Sequence, residues 1–321
     1  MSDEIKNGDA REKLIAVIGP TAVGKTALSM ELARIYDTEI ISGDSMLVYR
    51  GFDIGTAKPT ADERARVHHE LIDILAPEEH FSVSDFQKRA GALIKSANER
   101  GKIPILAGGT GLYVKALLEG YELNEQPGDE AYRMSLEVLA REHGKAYVHD
   151  MLAKVDPKTA ARLHVNDFRR VVRALEVYHL GQEKISTSRE SDGVSSPLIY
   201  DAFVIGLRRE RALLYERIER RVDMMMAAGL EREVRELMRT GVRRDAPAMR
   251  GIGYREMAAY IDGEMTLDEA VSEIKKSTRH FAKRQFTWYR KMPYIHWYDV
   301  DGVDLQLLLA RVTNDLRAAF P

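Results

Sequence analysis

Leu14-Ile-Ala-Val-Ile18-Gly19-Pro20-Thr21-Ala22-Val23-Gly24-Lys25-Thr26 is the stretch that decides the fold. Its first five residues are an unbroken apolar run bounded by turn formers, as in a strand buried on both faces of a parallel sheet. From Lys25 onward the period changes, and Leu28, Leu32 and Ile35 recur at helical spacing. Residues 19–26 between them fit G-x-x-x-x-G-K-[ST], with a strand before and a helix after. The glycines let backbone N–H groups converge on an anion, and the helix N-terminus adds partial positive charge. Lys25 offers a point charge to phosphate oxygens, and Thr26 offers a hydroxyl to Mg²⁺. Such loops occur in nucleotide-binding and ATP-binding proteins. The loop alone establishes a phosphate or diphosphate site, not hydrolysis.

Working outward, short apolar runs recur at 39–42, 71–74, 103–107, 203–207 and 295–298. Helical patterns separate the early ones, for example at 85–100. Strands alternating with helices predict an α/β fold, a parallel sheet with helices on both faces. The alternation breaks between Glu122 and Pro197, where four helices are expected at 130–142, 145–153, 157–163 and 167–180. Pro157 suits a first helical turn. Residues 186–197 are rich in Ser, Thr, Gly and charge and read as a linker. The division expected is therefore a core over 1–121 and 200–321, interrupted by a helical insertion over 122–199. Further helices are expected at 211–227, 231–239, 253–262 and 266–291.

Composition narrows the function classes. The chain has 321 residues, 45% hydrophobic and 31% charged, which excludes wholesale disorder. Lys and Arg number 48 against 50 Asp and Glu, so nucleic-acid binding must come from local basic patches. Cysteine is absent, which removes disulfides, thiolate metal sites and cysteine nucleophiles. No apolar run approaches a membrane span, and residues 1–13 lack the apolar core of a secretory leader. A cytoplasmic protein is expected.

Several residues then stand out. Asp44-Ser45 follows the second strand, at the edge where open parallel sheets hold ligands. Asp44 there is a Mg²⁺ ligand, a proton acceptor or simply a helix cap. Gly108-Gly109-Thr110-Gly111 forms a second glycine turn at that edge. Its strand does not end in an acid, and the only Walker B candidate is Asp73 in the run 71–74. That favours a diphosphate held rather than hydrolysed. Arg217 and Arg221 share one helix face, with Arg220 beside them. From Lys275 to Lys291 seven cations and no acid occur, with Phe281, Trp288 and Tyr289 interleaved. Ile274, Thr278, Phe281, Gln285 and Trp288 follow helical spacing toward a core. Lys275, Arg279 and Lys283 make a basic stripe suited to a nucleic-acid backbone. The insertion adds Arg162, His164, Arg169, Arg170 and Arg173. His68-His69 lacks metal-ligand spacing.

Taken together, these segments resemble one family. GPTAVGKT at 19–26, DSMLVY at 44–49, DIGTAKP at 53–59, HHxLID at 68–73, GGTGLY at 108–113, Asn166-Asp167 with RALEV at 173–177, Gly253-Tyr254-x-Glu256 and AKRQFTW at 282–288 occur in order. They are similar to the bacterial tRNA dimethylallyltransferases, or tRNA isopentenyltransferases, from about Leu14 to Trp297. The resemblance implies a P-loop NTPase-like sheet with a helical insertion that grips the tRNA anticodon stem-loop. It implies transfer of the dimethylallyl group of dimethylallyl diphosphate to N6 of an adenine next to the anticodon, with Mg²⁺ as cofactor and a monomer as the working form. Asp44 matches the general base. Lys25, Thr26, Thr110 and Arg221 match diphosphate contacts, and Arg133 matches a further site position. Asp44, Ser45, Met46 and Leu47 match tRNA contacts. So do Arg169, Arg170, Val171, Val172 and Arg173, and Met249, Arg250, Gly251, Ile252, Gly253 and Tyr254. Leu47 stands where many members carry Gln, and Val23 where Ser is usual. Two rivals remain on the residues alone. A small-metabolite kinase explains the loop and Asp44 but not the basic stripe. A non-catalytic RNA-binding protein leaves Lys25, Thr26 and Asp44 without a role.

Overall fold

The computed structural model describes residues 11–121, 128–181 and 197–321. Among them six strands form one parallel sheet: β1 (Lys13–Ile18), β2 (Ile40–Ser42), β3 (His69–Glu70), β4 (Ile105–Gly108), β5 (Asp201–Arg208) and β6 (Ile295–Asp299). Their order is β3-β2-β4-β1-β5-β6. The expected α/β sheet is therefore present, with β1 inside it. Ile15 lies opposite Ile105 on one side and Phe203 on the other.

Alternation along β1 builds two cores. Ile15 and Val17 face a layer containing Leu28, Leu32, Ile218 and Leu316. Leu14, Ala16 and Ile18 face the opposite layer, with Phe86, Ile94 and Val114. Period-two side chains from a strand covered on both faces explain why the run is apolar throughout. The covering helices near the start of the chain are α1 (Lys25–Ile35), α2 (Ala61–Arg66), α3 (Val83–Glu99) and α4 (Gly111–Glu119).

The chain divides into two compact units, Met1–Glu119 with Pro197–Pro321, and Gly120–Ser196. The second contains α5 (Glu130–His143), α6 (Lys145–Val155), α7 (Pro157–Arg162) and α8 (Phe168–Gly181). Leu136, Val148, Leu152, Val171 and Leu175 form its own core. Asp156 caps α7, accepting from the Thr159 N–H at 3.1 Å, with Pro157 in the first turn. The linker expected at 186–197 falls, up to residue 196, outside the described residues, as do 122–127 and the first ten residues.

After β5 come α9 (Arg211–Ala228), α10 (Leu230–Arg239), α11 (Tyr254–Ile261), α12 (Leu267–Tyr289) and, beyond β6, α13 (Leu305–Ala319). The sequence reading left α13 out, although Asp304 caps it and Leu308, Val312 and Leu316 are spaced for burial. No helix among the described residues is long and apolar enough to cross a membrane.

One strand differs from expectation. The apolar run 71–74 is not in the sheet, and β3 is the pair just before it. Leu71 and Asp73 adopt positive φ, 62° and 56°, which ends an extended strand. The run instead bonds to the segment after β2: the N–H of Asp73 donates to Leu47 O and that of Ile74 to Val48 O. The Asp73 carboxylate pairs with Lys58 and Arg64. It is thus committed to cations of its own neighbourhood and does not act as a Walker B acid.

Candidate active site

The register brings three loops to one edge. Ile18 lies opposite Gly108, and Ser42 opposite Ala107, so the chain leaves β1, β2 and β4 at one level. A side chain at 108 is impossible here, because its Cβ would fall 2.4 Å from the backbone of Gly43. That close approach seats the second glycine turn against the Asp44 loop. A cavity of about 390 Å³ opens at this edge.

Its lining includes Lys25, Thr26, Asp44, Thr110 and Arg221. The phosphate loop takes left-handed backbone at Ala22 and Gly24, with φ of 63° and 117°. Lys25 Nζ donates to the carbonyls of Gly19 and Pro20, both at 2.9 Å, which leaves one ammonium proton free for a ligand. Burial, with the nearby Arg221 charge, pushes the Lys25 pKa down to about 7 against the pull of Asp44. Burial also lowers Arg221, while Asp44 opposes it. Two cations are thus held in a confined place, which is what a polyanion stabilises.

Asp44 is half-buried, and its carboxylate accepts the N–H of Met46 at 2.8 Å. Thr110 Oγ1 accepts the N–H of Ser45 at 3.2 Å, which ties the glycine turn to the Asp44 loop. Arg221 donates to Thr56 O, at a long 3.4 Å, and Arg217 donates to Ala22 O at 3.0 Å. The shared face of these two arginines therefore points at the phosphate loop and the cavity wall.

The lining also carries apolar side chains, Met46, Leu47, Ile218, Val222, Met225 and Phe281. Gly55, Thr56 and Ala57 add a wall whose support the sequence reading missed. Glu233 accepts the N–H groups of Asp53, Ile54 and Gly55, at 3.2, 2.8 and 3.3 Å, and the hydroxyl of Tyr254 at 2.6 Å. Burial and that carboxylate raise the Tyr254 pKa, so the phenol stays neutral as a donor. Gln285 was also missed as a site residue; its amide bonds both to the phosphate loop and to Gly109. Its place between Phe281 and Trp288 marked only the buried face of a helix.

Not every expected RNA contact is presented. Val171 and Val172 are buried in the core of the insertion, so their side chains hold α8 in place rather than meeting RNA. Met249 is likewise buried, and Tyr254 is buried with its hydroxyl on Glu233. Arg133 and Arg173 both reach the buried Glu176, at 2.6 and 2.5 Å. Burial alone would raise that carboxyl, but hydrogen bonds from the two guanidiniums hold it below the ordinary range. Arg169 and Arg170 stay exposed, Arg170 with Asp167 at 3.1 Å. On α12 the basic stripe is partly spent: Lys275 pairs with Asp223 at 2.6 Å and Arg279 with Glu219 at 2.5 Å. Lys283 and Arg284 are exposed, and Arg284 also lines the cavity, stacked on Phe281 at 5.8 Å. Arg250, Gly251 and Ile252 line the cavity too. Gly253 starts α11, its N–H donating to Glu256 at 2.8 Å. His68 and His69 lie apart from this site, bonded to Glu70 and to Val67 O.

Comparison with known proteins matches residues 47–292 to the family described as IPP transferase. A tRNA dimethylallyltransferase of Halalkalibacterium halodurans is 47% identical over 95% of this chain and 96% of its own length. One from Carboxydothermus hydrogenoformans is 47% identical over 95% and 97%. The crystal structure of the full-length tRNA isopentenylpyrophosphate transferase from Bacillus halodurans superposes with a TM-score of 0.72 at 46% identity, covering 96% of this chain and 97% of that one. A eukaryotic dimethylallyltransferase captured acting on tRNA gives 0.77 at 26% identity, over 97% and 80%. A site of this composition, on a chain so alike over its whole described length, has one family assignment: the chain belongs to the IPP transferase family of prenyl-transferring enzymes.

Proposed function

We propose that this enzyme transfers the dimethylallyl group from dimethylallyl diphosphate to N6 of the adenine adjacent to the anticodon of tRNA, releasing diphosphate. The observation that carries this is the mixed lining of the cavity. Lys25, Arg221 and a glycine loop share its lining with the apolar side chains of Met46, Leu47, Ile218, Val222, Met225 and Phe281, the pairing that a diphosphate with a short hydrocarbon tail requires.

The chemistry follows from the residues. An aromatic exocyclic amine is a weak nucleophile, because its lone pair is delocalised. Asp44 takes a proton from N6 as the N6–C1 bond forms. The bond between C1 and the diphosphate oxygen breaks, and its electrons leave with the diphosphate. Lys25, Arg221 and the loop amides stabilise that growing charge in a water-poor site. The allylic carbon disperses its own positive charge, so no covalent enzyme intermediate is needed. The adenine must leave its stack to enter.

Mg²⁺ suits the residues present. Among the described residues no three His, Asp or Glu side chains gather as a metal cage. Mg²⁺ is commonly held by one or two carboxylates with substrate phosphates and water. The Thr26 hydroxyl would supply a protein oxygen there, which leaves the Asp44 carboxylate free as the base. When bound, the ion neutralises charge on the diphosphate. For the RNA, Arg169 and Arg170 of the insertion and Lys283, Arg284 and Arg250 of the core are the exposed cations that support a tRNA partner. In this reading the insertion grips the anticodon stem-loop, and the enzyme works as a cytoplasmic monomer.

The test is direct. The enzyme is incubated with tRNA and either labelled dimethylallyl diphosphate or labelled ATP. Label entering tRNA from the first alone is expected. Phosphoryl transfer from ATP to a small molecule would select a kinase, and binding without transfer an RNA-binding protein.

A further inference from the structure

We infer that Gln285 is a positioning residue that sets the spacing between the loop holding the donor diphosphate and the turn holding the general base. The inference rests on the reaction proposed above. Gln285 is only 3% exposed, in the middle of the cavity-facing side of α12. Its Oε1 accepts the backbone N–H of Thr21 at 2.8 Å, and its Nε2 donates to the carbonyl of Gly109 at 2.7 Å. An N–H can only donate and a carbonyl can only accept, so the two partners fix which way the amide points.

These two partners belong to different halves of the chemistry. Thr21 lies in the phosphate loop. Gly109 precedes Thr110, whose hydroxyl accepts the N–H of Ser45, next to Asp44. An unbroken line of contacts therefore runs from the diphosphate loop through Gln285, Gly109, Thr110 and Ser45 to the base. The fit at its centre is close, because a Cβ at position 109 would fall 2.4 Å from Gln285 Nε2. Removing the amide orphans a partly buried N–H and a buried carbonyl and lets the two loops relax separately. An error on the order of 1 Å between reacting groups costs about 10²-fold in rate.

Gln285→Met keeps the side-chain length and removes both hydrogen bonds. Gln285→Glu keeps an acceptor for Thr21 and loses the donor to Gly109. Each is assayed beside wild type for kcat, for the KM of dimethylallyl diphosphate, for tRNA affinity by filter binding and for thermal midpoint. For Gln285→Met the expected result is a kcat about 10²-fold lower, a raised donor KM and unchanged tRNA affinity. Gly109→Ala displaces the same amide. It is expected to lower kcat alone and to add little in the Gln285→Met background, because the two sites share one interaction. A purely structural role would lower the midpoint while leaving kcat and KM per folded molecule unchanged, and that result overturns the inference. Should Gln285→Met not fold, Gln285→Glu and Gly109→Ala carry the same comparison. Wild type that transfers no dimethylallyl group overturns both the proposed function and this inference. Transfer by wild type with unaltered variants overturns the inference alone.

Discussion

Arg279 on α12 reaches across to Glu219 on α9, guanidinium to carboxylate at 2.5 Å. One turn earlier Lys275 does the same with Asp223. Two of the three cations in the stripe thus serve helix packing, and α12 presents fewer free charges than its sequence shows.

The salt dependence of tRNA binding should reveal this division. Each phosphate contact contributes about 0.7–0.9 log units of affinity per log unit of salt. Changing Lys283 and Arg284 together to Ala should flatten the slope by about one to two units. Changing Lys275 and Arg279 should flatten it less and lower the thermal midpoint instead. Equal flattening in the two double variants would return Lys275 and Arg279 to the RNA surface, and a wild-type slope in both would remove all four residues from it.

Asp44→Asn should keep donor and tRNA affinity while kcat falls about 10²–10⁴-fold, the worth of a positioned general base. Single-turnover rates with preformed complex isolate the chemical step. A loss below about tenfold would move the base elsewhere.

Lys25 should make donor binding depend on pH. Its pKa is pushed down to about 7, so in the free protein the ammonium is present below that pH and lost above it. A bound diphosphate favours the charged form and restores the proton. Donor affinity should therefore fall as pH rises through 7, with proton uptake on binding at about pH 8. Calorimetry in two buffers of different ionisation heat measures that uptake. Lys25→Arg does not titrate in this range and should abolish it.

Glu176 should control the stability of the insertion. Its pKa is lowered in the folded chain, so its contribution is present above the ordinary carboxyl value and is lost as pH falls below it. Glu176→Gln should destabilise the insertion by about 2–3 kcal/mol. That is less than the about 3–5 kcal/mol of a wholly buried pair, since both guanidiniums reach solvent. Urea melts at neutral and acid pH check the sign: the variant's deficit should shrink in acid.

What the sequence made legible were local patterns. The run 14–18, the loop after it and α1 carry period and turn chemistry within a single window, and the structure places them as read. Four insertion helices were found for the same reason. Run 71–74 misled because its backbone hydrogen-bonds to the segment after β2 rather than into the sheet, and only tertiary pairing distinguishes the two. The partners of Lys275 and Arg279 lie on another helix, and Thr21 is 264 residues from Gln285, so no window contains either relation. Asp44 and Thr110 could be singled out because each sits in a turn just after a strand, and Arg221 because it shares a helix face with Arg217. Glu233, in an ordinary charged helix, gave no such signal.

The central strand has a consequence for how the chain is made. β1 emerges first, yet one of its two neighbours, β5, begins at Asp201, beyond the whole insertion. At about 5–20 residues per second, synthesis leaves one edge of β1 unpaired for on the order of ten seconds or longer. An apolar strand with an open edge invites association with other chains. The insertion, with its own core, is synthesised within that interval. The enzyme's exposure to misassembly is therefore set less by its final stability than by how quickly the ribosome delivers β5.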